Sequence, residues 1–148
     1  MNNKWVFLAT LFFSLTPSLL LGANLTSGEK RRIESAAEET LKEIIDLWKN
    51  NKFEELYEYG SRTSKVSLSK EKFVDRMRKK YWGLASSWET IRDIESDVRS
   101  STSVYVKAKI GFKPKAGGDS KFVTETFTMI LEGGKWRTGL SKILSSPK

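Results

Sequence analysis

The chain has 148 residues, a formal net charge of +8, and neither a cysteine nor a histidine. Those two absences exclude thiol nucleophiles, disulfides, Ser-His-Asp and Cys-His catalysis, and any Cys/His zinc site. No glycine-rich phosphate loop of the Rossmann or Walker type occurs either, so any chemistry must come from Asp, Glu, Lys, Tyr, Ser or Arg.

At the start, Lys4 precedes a stretch from Trp5 to Leu21 with no charged residue, followed by the small pair Gly22-Ala23 and then Asn24-Leu25-Thr26-Ser27. This order predicts a signal peptide over 1–23, cleaved after Ala23. An uncleaved anchor is the competing reading, because the apolar stretch approaches the roughly 20 residues that span a bilayer. Pro17, with Thr10, Ser14, Thr16 and Ser18 around it, weighs against an anchor. Ala23 stands where a lipoprotein would need its lipid-bearing cysteine, so a lipid anchor of that kind is excluded. The expectation is a secreted or periplasmic product with one domain over 24–148, held by ordinary core packing.

Thr26 followed by Glu29 fits a capping box. Ile33, Ala37, Leu41, Ile44 and Trp48 then recur at helical spacing, which predicts a first helix over about 27–50. Phe53, Leu56 and Tyr57 predict a short second helix stopped by Gly60. Residues 61–68, rich in Ser, Thr and Lys, read as a loop. Ser69 caps a third predicted helix with Phe73, Met77 and Tyr81 as its stripe and Gly83 as its stop. The period then changes to alternation. A strand is expected over 88–98, and Val104, Val106, Ala108, Ile110 and Phe112 mark the buried face of a second strand. After a loop containing Gly117-Gly118-Asp119, Val123, Phe127, Met129 and Leu131 mark the inner face of a third. Gly133-Gly134 predicts a tight hairpin into a fourth strand over 135–143. The fold class is therefore α+β, with three N-terminal helices on one face of a curved four-stranded antiparallel sheet.

That element order resembles the nuclear transport factor 2-like superfamily. The likeness is carried by Trp48 with Phe53-Glu54-Glu55-Leu56-Tyr57, by Phe73 to Tyr81, and by Glu132-Gly133-Gly134-Lys135-Trp136. It implies a cystatin-like α+β cone, a sheet wrapped round the long helix with an apolar mouth. The superfamily includes ketosteroid isomerase and scytalone dehydratase, many non-catalytic accessory domains, and many exported bacterial proteins. A shared fold does not transfer an activity.

Enzymes of that superfamily place acid–base residues inside the cone, and here the first strand offers Asp93, Glu95 and Asp97. Asp93 and Glu95 would stand about 7 Å apart, but on a mostly charged and hence solvated face. Trp48, Tyr57, Tyr81, Trp88, Phe112, Phe127, Met129 and Trp136 are the candidates for lining an apolar pocket, and equally for filling the core. Two basic stripes, Lys72, Arg76, Lys79 and Lys80 on the third helix and Lys107, Lys109 and Lys113 on the second strand, are candidates for an anionic envelope surface. Ser67-Leu68-Ser69-Lys70 matches the Ser-x-x-Lys of penicillin-binding enzymes, and Arg137-Thr138-Gly139 faintly matches their third motif. No Ser-Asp-Asn accompanies them, so the match is rejected.

The reading is an exported non-enzymatic binding or accessory domain whose cone takes a small apolar ligand or a protein segment. The alternative is a small acid–base isomerase, dehydratase or hydrolase using Asp or Tyr in the cone. No metal and no cofactor is implied. The admitted partners are an apolar ligand, a protein, an anionic envelope surface and a second copy of the chain, and export argues against nucleic acid.

Overall fold

The computed structural model describes residues 24–86 and 90–147, so the expected leader and Trp88 lie outside the described residues. Helix α1, Ser27–Lys49, starts on the expected capping box: the Thr26 hydroxyl accepts from the Glu29 amide, and the Glu29 carboxylate accepts from the Thr26 amide. Its buried stripe is Ala37, Leu41, Ile44, Ile45 and Trp48. Helix α2, Phe53–Tyr57, buries Phe53, Leu56 and Tyr57.

The expected loop over 61–68 contains helix α3, Arg62–Ser67, capped by the Ser61 hydroxyl accepting from the Ser64 amide. None of its residues is buried, so it carries no apolar period to read. Helix α4, Lys70–Lys79, has the expected Ser69 cap and buries Phe73, Val74 and Met77. It ends before the expected stop at Gly83. Lys80 takes an extended backbone, and the Lys115 ammonium donates to the carbonyls of Met77 and Arg78 at 2.7 and 3.0 Å, closing the helix end.

The sheet has five antiparallel strands: β1 Trp82–Leu84, β2 Ile91–Ser100, β3 Ser103–Pro114, β4 Lys121–Glu132 and β5 Lys135–Arg137. Strand β3 is central. It pairs with β4 on one side and, on the other, with β2 and then β1 end to end. The extra strand β1 exists because β3 outruns β2, leaving Phe112 to Pro114 free to pair with Leu84 to Trp82. In β2 a bulge between Arg92 and Glu95, with Asp93 at φ +52°, adds one residue. It lets Ile91 and Ile94, which strict alternation would put on opposite faces, both pack against the core.

Gly133 and Gly134, at φ +58° and +75°, make the hairpin turn that the sequence predicts. The strand beyond it is shorter than expected. Thr138 leaves the sheet to exchange backbone hydrogen bonds with Tyr59 and Ser61, and helix α5, Leu140–Ser145, comes next. Leu140 and Ile143 are its buried residues, one helical turn apart. Gly60 allows this crossing. A Cβ there would lie 2.7 Å from Leu140 Cγ.

Helix α1 packs against β1, β2, β3 and β5, so the sheet curls around it. The inner face carries Val104, Val106, Ala108, Ile110 and Phe112 of β3 with Phe127 and Met129 of β4, all fully buried. Phe127→Ala is expected to cost about 3–5 kcal/mol in urea unfolding, whereas Thr126→Ala, on the outer face, should stay within about 0.5 kcal/mol.

Candidate functional site

The wide part of the cone is packed with its own side chains. Trp48 of α1 meets Phe112 of β3 edge to face at 5.8 Å, and Phe127 and Met129 of β4 join the same buried cluster. Tyr57 is buried, tilted against Phe73, and its phenol donates to the Leu68 carbonyl at 2.9 Å. Its hydroxyl is therefore committed to the core. Tyr81, expected on the helical stripe, lies past the end of α4 and is 62% exposed, against the edge of Trp82. Trp136 is buried but also borders an outer groove of about 730 Å³ with Tyr59, Glu39 and Glu43.

The carboxylates of the first long strand do not enter the cone. Asp93, Glu95 and Asp97 are exposed; Glu95 pairs with Lys107, and Asp97 with Arg99. The carboxylate inside is Glu125 of β4, 5% exposed and placed between Val123 and Phe127 on the inner face. One of its oxygens pairs with Lys142 of α5, and the other is buried without a hydrogen-bond partner. The signal was available in the sequence. The alternation of Val123, Phe127 and Met129 assigns residue 125 to the same face.

Lys142 and Lys80 hold α5 against the sheet from two sides. The Lys80 ammonium donates to the carbonyls of Leu144 and Ser146 at 2.6 and 2.7 Å, satisfying the end of the helix. Burial, and then the nearby charge of Lys115, hold the Lys80 pKa below the ordinary lysine value, with Glu125 pulling the other way. Lys115 is lowered by burial as well.

The basic stripes divide when charges are paired off. Lys79 bonds Asp75, Lys107 pairs with Glu95, and Lys80 turns inward. Among the described residues, Lys72, Arg76, Lys109 and Lys113 have no acidic partner. Lys109 and Lys113 belong to β3, one on the outer face of the sheet and one near its end. Lys72 and Arg76 line a groove of about 450 Å³ between α3, α4 and α5.

The chain matches the sequence profile of the NTF2-like N-terminal transpeptidase domain family over residues 36–137, from the middle of α1 to the end of β5. It belongs to that family. A comparison with curated proteins finds no match. The matched span takes in the whole sheet, so the α+β cone of the NTF2-like superfamily describes this domain. Within this NTF2-like domain the Ser-x-x-Lys match has no catalytic geometry. Ser67 donates to the Ser64 carbonyl of its own helix, and Lys70 pairs with Glu58. Hydrogen bonds from Lys70 and then Lys65 hold the Glu58 carboxyl below its usual range.

The inner cluster yields two expected outcomes. Lys142→Ala leaves Glu125 buried and uncompensated, and should cost about 2–4 kcal/mol, somewhat below a fully buried pair because Lys142 is partly exposed. The Glu125→Leu, Lys142→Met double variant should recover most of that loss in the same denaturation assay. For Lys80 the folded pKa lies below the unfolded one, so between the two the unfolded chain binds more protons. Stability measured against Lys80→Met should therefore rise with pH across that alkaline window.

Proposed function

We propose that this chain is an exported, non-catalytic binding or accessory domain that works through its outer surface. The observation that carries the reading is the packing of the cone. Trp48, Phe112, Phe127 and Met129 are at most 2% exposed, so the volume that holds substrate in the enzymes of the superfamily is taken by core side chains. Glu125 favours the alternative, a small acid–base enzyme, because it is a buried carboxylate with one unpartnered oxygen. Its other oxygen is clamped by Lys142, and its neighbours on the same face of β4, Val123 and Phe127, belong to the core packing, which speaks against a reacting atom beside it.

The family description supports an accessory role. It names an N-terminal domain of transpeptidases. Export is supported by the charge-free stretch from Trp5 to Leu21 and the small residues after it. An exported domain rich in lysine has envelope polymers, membranes and acidic proteins within reach.

Native mass spectrometry of the chain purified gently from an exporting host tests this. The expected species begins at Asn24 and carries no small apolar molecule, and any partner it retains dissociates at high salt. A retained apolar ligand, or turnover of a ketone or ester abolished by Glu125→Gln, would establish an open cone and refute the reading.

A further inference from the structure

The groove between α3, α4 and α5 combines cations, hydroxyls and apolar side chains. Its walls are Lys72 and Arg76, four serines (Ser64, Ser67, Ser141 and Ser145) and three leucines, with no acidic residue among them. The cations close by are neutralised: Lys65 and Lys70 share Glu58, Arg78 takes Glu54, and Lys79 takes Asp75. Lys72 and Arg76 sit one helical turn apart on the side of α4 that borders α5 and have no partner of their own. By contrast, the larger groove beside Trp136 sets four carboxylates, Glu39, Glu43, Glu55 and Glu58, against two cations, Lys135 and Arg137, and is acidic on balance.

The hydroxyls add a second constraint. Ser67 and Ser145 donate their hydrogens to the backbone carbonyls of Ser64 and Lys142 at 3.0 and 3.2 Å. Their oxygens are therefore left to accept, which suits the hydroxyl groups of a ligand and not an anion alone. Leu68, Leu140 and Leu144 provide an apolar lining suited to the C–H faces of a sugar or polyol. A volume of about 450 Å³ lies within the range of small-ligand sites. Helix α5, which supplies Leu140, Ser141, Leu144 and Ser145, is held in place by Lys142 on Glu125 and by Lys80 on its C-terminal carbonyls. The wall is thus fixed before any ligand arrives.

We propose that this groove binds a hydroxyl-rich anionic chain, a sugar or polyol polymer bearing phosphate or carboxylate groups, with Arg76 and Lys72 on the anions and the serines on the hydroxyls. Arg76 can grip two oxygens of one anion with its planar fork, while Lys72 acts as a point charge one turn away. The proposal takes up the reading of the domain as a surface binder, but it stands or falls separately. Failure here leaves the packed cone untouched.

The test is titration of the purified full chain, by calorimetry at low and moderate salt, with a glycerol phosphate oligomer, a galacturonic acid oligomer and a neutral glucose oligomer. Saturable binding of at least one anionic oligomer is expected, and the stronger of the two identifies phosphate or carboxylate as the anion. The glucose oligomer should not bind at the same concentrations. Lys72→Ala with Arg76→Ala should weaken binding about tenfold or more, and Ser141→Ala with Ser145→Ala by a smaller factor. Lys109→Ala with Lys113→Ala, on the central strand away from the groove, should leave affinity within about twofold. Melting curves establish that each variant remains folded, since all these side chains except Lys109 are exposed and none of them is buried. No binding of either anionic oligomer overturns the proposal. So does an equal loss in the two double-lysine/arginine variants, which would mean diffuse charge attraction. Binding to phosphatidylglycerol vesicles without binding to free oligomers would also overturn it, since a recessed polymer site does not need a bilayer.

Discussion

Helix α1 has to bury five residues spread over three turns, and a flat sheet would cover only part of that stripe. The sheet therefore curls, and the curl dictates most of the remaining architecture. The inner face of β3 is an unbroken run of fully buried apolar residues because it lies along the helix. The bulge at Asp93 bends β2 and brings Ile91 and Ile94 onto the same side. The concavity that would be an active site in a looser relative is here consumed in covering Trp48 and its neighbours.

Closing the far end of the curl created the charged cluster. Strand β4 carries Glu125 to a position where its neighbours on the same face are apolar, and only an element packed from above can compensate it. Helix α5 does so with Lys142, and the chain just past α4 adds Lys80. A buried pair is weak evidence for stability, but strong evidence for placement, because it is costly unless both partners are where they should be. The pair fixes α5 relative to the sheet, and α5 in turn forms one wall of the serine-lined groove. Buried carboxylate, helix position and surface groove are thus linked by contact.

Much of this was legible in the amino-acid sequence. The Thr26–Glu29 cap, the stripe of α1, the alternation of β3 and the Gly133-Gly134 turn each express a local rule that tertiary structure leaves alone. What was hidden depends on distant partners. Helix α3 has a good serine cap but no buried residue, so composition reads as loop. Strand β1 arises from the excess length of β3, and the early end of α4 from a lysine more than thirty residues downstream. Helix α5 was within reach, since Leu140, Ile143 and Leu144 follow helical spacing, but the run was absorbed into a strand prediction. For the candidate site, the basic stripe of α4 was visible, but not which of its charges stay unpaired; that required the partner Asp75 and the inward turn of Lys80. Glu125 could have been found by carrying the strand's own alternation through from Val123 to Phe127.

The bulge in β2 has one more consequence, for how the protein behaves in a crowd. Strand β2 runs along the open margin of the sheet, where unpaired backbone groups could recruit a strand from another molecule. Asp93, Glu95, Asp97 and Arg99 put charge along that margin, and the left-handed backbone at Asp93 breaks its straightness. On the opposite margin β5 offers only three residues and pairs with the end of β4 alone, from Ile130 to Glu132. The β2 rim therefore gives no long flat template, which disfavours cross-β pairing there in a protein with no disulfide to lock its fold.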